Sequence, residues 1–197
     1  RTSTILSPNM KTYRNKNRKY TYGRNGTPTS ESLTHSIASL YKADGCVLAP
    51  SGMAAITTGL MSILKSKDHI LIPDSVYGST RRFVKEEFPR LDIQFEFYNS
   101  RDLKHLESLI KDNTSAIYLE SPGTYTFEII DIQKVVNISK KYNLKTLIDN
   151  TWATALYFNP LEFGVDIVIE AITKYISGHS DIMMGAVVGN DENFIEL

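Results

Sequence analysis

The chain has 197 residues, with 22 basic and 22 acidic side chains and a formal net charge of zero. This length fits one domain, and the charge balance excludes a strong global field that would attract nucleic acid or a membrane. The single cysteine, Cys46, cannot form an internal disulfide, and no cysteine and histidine residues have metal-ligand spacing. We therefore expect no metal, nucleic-acid or membrane partner, and a reducing, cytoplasmic location.

Residues 1–28 are polar and interrupted by prolines and glycines, which predicts an extended N-terminal arm. From residue 29 to residue 197, helical and strand-like patterns alternate, which predicts one α/β domain. In chain order, we predict helix 30–42, strand 46–49, helix 53–64, strand 69–73, helix 79–87, strand 93–98, helix 103–110, strand 116–119, helix 132–141, and strands 145–148, 165–169 and 185–188.

This alternation indicates an α/β fold with a mostly parallel sheet and helices on both faces. The predicted strands are nearly continuous apolar runs, as expected when both faces of a sheet are covered. Ligands of such sheets bind outside the carboxyl ends of the strands. Polar residues suited to ligand binding lie at those ends: Ser51 with Gly52, Asp74, Glu120, Asp149 and Lys174.

Lys174 and Asp149 form the most informative pair of residues. Lys174 follows the apolar run 165–169 and stands among small polar residues, which favours Schiff-base chemistry over a solvated surface lysine. Asp149 ends another strand, where its carboxylate could keep a heterocyclic nitrogen protonated, as pyridoxal phosphate requires. The ordinary alternatives, an exposed loop lysine and a turn aspartate, remain open for each residue alone.

Several other residues suit an anionic cofactor. A turn at Gly52 leads into a helix, whose N-terminus attracts phosphate. Thr173 offers a hydroxyl group, Tyr77 an aromatic ring, and Tyr22 with Arg24 a phenol and a guanidinium. Each has an ordinary structural interpretation when considered alone. Neither a nucleotide P-loop nor a dinucleotide fingerprint is present, which argues against an oxidoreductase that binds a dinucleotide.

Five segments in this order carry a family resemblance: 22–29 (YGRNGTPT), 51–55 (SGMAA), 119–123 (LESPG), 148–152 (IDNTW) and 173–181 (TKYISGHSD). With them the chain resembles the Cys/Met-metabolism enzymes that depend on pyridoxal phosphate (PLP), of fold type I, and within them the cystathionine β-lyase branch. The resemblance implies an aminotransferase-like PLP large domain. It also implies a carbon–sulfur lyase that converts cystathionine to homocysteine, pyruvate and ammonia.

The resemblance also implies roles for individual residues. Lys174 is expected to bind PLP covalently and to act as the catalytic base. Asp149 is expected to partner the pyridinium nitrogen. Tyr77 is expected to stack on the cofactor and to be a second catalytic residue.

The phosphate is expected to be bound from two directions. The backbone N–H groups of Gly52 and Met53 and the hydroxyl of Thr173 are the expected ligands from the same chain. Tyr22 and Arg24 are expected to reach the phosphate of a neighbouring subunit, which implies a homo-oligomer built as a dimer of dimers.

Family members continue through a C-terminal small domain, which supplies the arginine that binds the substrate's α-carboxylate. We expect this chain to be a truncated one, with the large domain incomplete and the small domain absent. The alternatives are another activity of the family (a cystathionine γ-synthase, a γ-lyase or a cysteine desulfhydrase) and an inactive remnant that at most binds PLP. Its substrate is expected to be a small sulfur-containing amino acid.

Overall fold

The structure is a computed structural model that describes residues 3–15 and 17–190. Its α-helices are α1 Met10–Arg14, α2 Pro28–Tyr41, α3 Gly52–Ile63, α4 Gly78–Glu87, α5 Leu103–Ser108, α6 Ile132–Tyr142 and α7 Thr154–Tyr157. Its strands are β1 Gly45–Ala49, β2 His69–Pro73, β3 Gln94–Tyr98, β4 Thr114–Glu120, β5 Lys145–Asp149, β6 Ile167–Glu170 and β7 Gly185–Gly189. Short 3₁₀ turns cover Gly23–Asn25, Phe88–Leu91 and Pro160–Phe163.

The described strands form one seven-stranded sheet in the order β1-β7-β6-β5-β4-β2-β3. The strands from β6 to β3 are parallel to one another, whereas β7 is antiparallel to both of its neighbours, β1 and β6. The predicted α/β fold with a mostly parallel sheet is confirmed.

Helices cover both faces of the sheet. One buried cluster contains side chains of α3 and α4 with Leu147 and Ile169, and the other contains α2, α5 and α6 with Ile148 and Val168. Successive residues of a strand point to opposite faces, so apolar residues must follow one another without interruption. Full burial of each such side chain contributes about 1.5–3 kcal/mol.

Most predicted elements are observed with small shifts at their ends. The strand predicted at 69–73 is observed as His69–Pro73, and the helix predicted from residue 30 begins at Pro28. Thr27 and Ser30 explain this earlier start, because each side chain accepts a hydrogen bond from the backbone N–H of the other. None of the described helices has the length and apolar character needed to cross a membrane.

The prediction of a wholly extended arm is wrong over residues 10–14, which form helix α1. The side chain of Asn9 starts this helix by accepting a hydrogen bond of 2.8 Å from the N–H of Thr12. Residues 1, 2 and 16 of the predicted arm, and 191–197 at the end of the predicted domain, lie outside the described residues.

We expect Gly185→Ala to destabilise the protein by about 1–3 kcal/mol, because a Cβ at this site would clash with the carbonyl oxygen of Ser51. Gly78→Ala is the matched control, since no described atom beyond its chain neighbours and the backbone of its own helix lies within 4 Å of its Cβ position. Urea unfolding of the two variants measures the difference. Equal losses of stability would contradict this account of the contact between β7 and the start of α3.

Candidate active site

Three neighbouring parallel strands end at the same edge of the sheet. Glu120, the last residue of β4, is level with Asp149 at the end of β5, and Asp149 is level with Ile169 of β6. Lys174 lies in the loop that leaves β6. The structure therefore brings Asp149 and the segment of Lys174 to the edge where ligands of such sheets bind.

Asp149 is a partly buried carboxylate whose two oxygens differ. Its Oδ1 accepts hydrogen bonds from the backbone N–H and the hydroxyl of Thr151, at 3.0 and 2.6 Å. Over residues 3–15 and 17–190, no ion pair includes Asp149 and no hydrogen bond reaches its Oδ2. Burial raises the pKa of Asp149, and the hydrogen bonds from Thr151 oppose that shift. A positively charged N–H group at Oδ2 would stabilise the ionised form.

The hydroxyl of Thr151 connects Asp149 to the loop of Lys174. It donates to Asp149 and accepts a hydrogen bond of 2.9 Å from the backbone N–H of Ala171. Ala171 is the first residue after β6. This side chain therefore helps to fix where the loop begins relative to the carboxylate.

The N-terminus of α3 contacts the same loop. A Cβ on Gly52 would lie 2.7 Å from the Cβ of Ala171, so only glycine allows the start of the helix to approach this closely. The sequence predicts a phosphate site at this helix end. In the structure, the same helix end lies beside the segment that leads to Lys174.

The cap of α3 leaves N–H groups available. Ser51 caps the helix by accepting a hydrogen bond of 3.0 Å from the N–H of Ala54. The N–H groups of Gly52 and Met53 precede this capped donor, and an α-helix provides no internal acceptor for its first N–H groups. The predicted phosphate ligands are therefore placed where the helix dipole favours an anion.

The segment after β6 turns sharply and exposes the side chain of Lys174. The N–H of Lys174 donates to the carbonyl of Ala171, and its own carbonyl accepts from Gly178, each at 2.9 Å. The hydroxyl of Thr173 donates to the carbonyl of Met184 and accepts from the N–H of Met184, both at 3.0 Å. In this arrangement Thr173 has no hydroxyl proton left for a phosphate oxygen.

Tyr77 is linked to the same edge through Glu120. The backbone N–H of Tyr77 donates to Oε2 of Glu120 at 2.8 Å, and the hydroxyl of Thr124 donates to the other oxygen. Burial, followed by the charge of Asp149, raises the pKa of Glu120 to about 7. Tyr77 as a whole residue is 44% exposed, which leaves its side chain accessible to a ligand.

An aromatic cluster joins the three loops at this edge. The ring of Trp152, the only tryptophan of the chain, lies 5.5 Å from the ring of Phe127 and 6.1 Å from that of Tyr175, centre to centre. The three residues follow β4, β5 and β6, so Trp152 is close to the Lys174 segment in space. Sequence reasoning assigned no role to this cluster.

Tyr22 and Arg24 lie together in the N-terminal arm, with the guanidinium 5.5 Å from the centre of the tyrosine ring. Within the described part of the chain, no hydrogen bond, ion pair or ring contact joins either residue to Asp149, Tyr77 or Lys174. A single chain therefore does not bring these two predicted residues into the site.

Two further site residues, Thr151 and Glu170, had no predicted role. The spacing of Thr151 two residues after Asp149 is typical of an Asx turn and could have indicated their hydrogen bond. No local pattern reveals Glu170, because its partner Tyr41 is 129 residues away in the chain.

The sequence profile of the Cys/Met metabolism PLP-dependent enzymes matches residues 1–196. The chain belongs to this family. The family depends on PLP, so PLP is the cofactor for which the site must account.

Two proteins and one solved structure illustrate the similarity. The chain is 40% identical over 174 residues to the cystathionine beta-lyase MetC of Staphylococcus haemolyticus, covering 88% of this chain and 44% of that protein. It is 37% identical over 206 residues to the L-alanine/L-glutamate racemase of Wolbachia pipientis wMel, covering 98% of this chain and 51% of that protein. A crystal structure of cystathionine gamma-lyase from Lactobacillus plantarum complexed with L-serine is similar with a TM-score of 0.90 and 32% identity. The match covers 98% of this chain and 49% of that one. The chain thus spans about half the length of these relatives.

We expect Thr151→Val to destabilise this PLP-family chain by about 1–3 kcal/mol, because it leaves the N–H of Ala171 and Oδ1 of Asp149 without their hydroxyl partner. Thr151→Ser is the control, since it keeps the hydroxyl group. Urea unfolding at pH 7 compares the two variants with the parent chain. Serine and valine variants of equal stability would show that the hydroxyl bridge contributes nothing.

Proposed function

We propose that this chain carries the active site of a carbon–sulfur lyase that cleaves cystathionine, with water, to homocysteine, pyruvate and ammonia. The observation that carries the proposal is the Thr151 bridge, which brings the carboxylate of Asp149 and the loop of Lys174 to one edge. The name of the Staphylococcus haemolyticus relative favours β-elimination of cystathionine as the reaction. Because the chain spans about half of that relative, the activity of the whole protein remains part of the proposal.

Five residues of this chain would hold the cofactor. Asp149 would accept a hydrogen bond from the ring nitrogen at Oδ2, the oxygen that no described residue occupies. The N–H groups of Gly52 and Met53 would bind the phosphate, and Lys174, whose side chain is exposed at the edge, would bind the cofactor covalently. The exposed ring of Tyr77 would stack on the ring of PLP.

Other predicted contacts require rearrangement or a second chain. Thr173 would donate to the phosphate only after its hydrogen bond to the carbonyl of Met184 breaks. Tyr22 and Arg24 would reach the phosphate of a neighbouring subunit, with residues 1–28 crossing between the chains and 29–197 forming the PLP-binding domain. This arrangement corresponds to the proposed dimer of dimers.

The proton transfers would fall to two side chains. PLP, when bound, supplies the electron sink that makes the Cα–H bond of an amino acid acidic. The amine of Lys174 would remove the Cα proton of the substrate and then deliver a proton to the departing sulfur atom. The phenol of Tyr77 is a second candidate, for taking the proton of the substrate's amino group. Asp149 would keep its negative charge throughout and thereby hold the ring nitrogen protonated.

We expect Lys174→Ala to abolish the visible absorbance that PLP acquires on the parent protein. Borohydride reduction followed by peptide mass spectrometry should locate the pyridoxyl label on Lys174. Lys104→Ala, which removes an exposed lysine of α5, is the matched control and should retain both signals. An unchanged spectrum in the Lys174→Ala variant would refute the assignment.

We expect Asp149→Asn to lower turnover by about 10²-fold while changing the affinity for PLP much less. The substitution preserves the shape of the side chain and removes the charge that holds the ring nitrogen protonated. Steady-state kinetics with cystathionine and a cofactor titration measure the two quantities. A loss of affinity as large as the loss of turnover would show that Asp149 only binds the cofactor.

A second candidate function is the racemisation of amino acids, which the 37% identity to the Wolbachia racemase favours. Both reactions begin with removal of the Cα proton, so the same residues would serve either. The products separate the candidates: pyruvate from cystathionine indicates β-elimination, 2-oxobutyrate indicates γ-elimination, and D-alanine from L-alanine indicates racemisation. Bound PLP without any product would identify an inactive remnant.

A further inference from the structure

A buried polar cluster lies on the opposite face of the sheet from Asp149. Glu170, the last residue of β6, is fully buried and accepts a hydrogen bond from the phenol of Tyr41, the last residue of α2. The amide nitrogen of Asn150 donates to the oxygen of Tyr41 at 3.0 Å and to the carbonyl of Phe158 at 2.9 Å. The three side chains thus form a chain of hydrogen bonds between α2, β6 and the residue that follows β5.

Two buried oxygen atoms in this cluster have no hydrogen-bond donor among the described residues: Oε2 of Glu170 and Oδ1 of Asn150. An ionised Glu170 would leave a buried charge with no cation, since none of the ion pairs in the described part of the chain includes it. A proton on Oε2 removes that charge and turns the atom from an acceptor into a donor.

The electrostatic surroundings favour the protonated form. Burial is the largest cause of a raised pKa for Glu170, to about 8; the hydrogen bond from Tyr41 lowers it and the charge of Asp149 raises it. Tyr41 of α2 and Asp149 of β5 are the titratable groups that act on Glu170, and β7, the other neighbouring strand, has no ionisable side chain over Gly185–Gly189.

The cluster connects the end of β5, which carries Asp149, to the start of the Lys174 loop, on the opposite face of the sheet from Asp149. Asn150 follows Asp149 directly, and its backbone N–H donates to the carbonyl of Ile169 at 2.9 Å. Glu170 directly precedes Ala171, where the loop of Lys174 begins. Thr151 joins the same two stretches of chain on the other face.

We infer that Glu170 is a positioning residue held as a neutral acid, and that with Tyr41 and Asn150 it fixes the loop of Lys174 relative to Asp149. Ionisation of Glu170 then loosens this edge, so the site responds to alkaline pH. The consequence for catalysis rests on the proposed function, whereas the neutral acid and its effect on the loop do not.

The sign of the pH effect follows from proton binding. The folded chain keeps a proton on Glu170 up to about pH 8, whereas in the unfolded chain the group loses its proton near its ordinary pKa of 4.5. The free energy of unfolding therefore falls as the pH rises between these values. Glu120, with a raised pKa of about 7, adds a similar slope over the lower part of that range.

The test compares Glu170→Gln with the parent protein without added cofactor. Glutamine has the shape of the neutral acid, accepts from Tyr41 and cannot ionise. Urea unfolding from pH 5 to pH 9 measures how the free energy of unfolding depends on pH. The slope of that dependence should be smaller in the variant, by the equivalent of up to one proton. Glu107→Gln is the matched control, because hydrogen bonds from Lys141 and Tyr142 lower the pKa of this half-exposed carboxyl and it should leave the slope near pH 8 unchanged.

The fluorescence emission of Trp152 distinguishes a positioning role of Glu170 from a purely structural one. Its ring contacts Tyr175, which directly follows Lys174, so its fluorescence reports the packing of the loop. We expect a change of emission with a midpoint near pH 8 in the parent and in Glu107→Gln, and its loss in Glu170→Gln. A transition that persists in the glutamine variant overturns the inference.

Tyr41→Phe keeps the test decisive should the glutamine variant fail to fold. Because the hydrogen bond from Tyr41 lowers the pKa of Glu170, its removal should move the midpoint of the Trp152 transition to higher pH. An unmoved midpoint contradicts the inference. Loss of the transition in Glu170→Gln together with no PLP binding by the parent would refute the proposed function and leave this inference standing.

Discussion

The hydroxyl group of Thr151 is the contact on which the geometry of the site depends. It touches Asp149 at 2.6 Å and the backbone of Ala171 at 2.9 Å, so one side chain joins the end of β5 to the loop that leaves β6. The N-terminus of α3 is then held against the same loop, because Gly52 has no Cβ to separate them. A carboxylate, an amine-bearing loop and a helix N-terminus thus share one edge.

Three carboxyl groups end three successive strands, and none of them forms an ion pair within the described residues. Each has a raised pKa through burial. Their roles differ because their hydrogen bonds differ. Glu120 uses both oxygens for Tyr77 and Thr124, and Glu170 faces α2 with its second oxygen buried. Oδ2 of Asp149 accepts no hydrogen bond from the described residues, and a ligand could bind there. In the proposed function, a cationic ring nitrogen would stabilise the ionised form of Asp149.

The elements that the sequence predicted well are those with a strong local signal. Two examples are the run of five buried residues in β2 and the Ser51 cap of α3. Both depend on residues adjacent in sequence, and both are observed. Helix α1 was missed because it is held by a single Asn9 cap and shows no apolar period. The strand predicted from residue 165 begins at Ile167, because its start is set by pairing with Leu147 of β5.

The sequence by itself determined the α/β fold, the family and the residues of the edge, because apolar periods and the motifs around Asp149 and Lys174 are local in the chain. Tertiary structure alone decided how these residues are connected. The contact of Gly52 with Ala171 and the bond between Tyr41 and Glu170 join residues far apart in sequence. Such pairs form only after the strands have aligned, and no local spacing encodes which partner a buried polar group will meet.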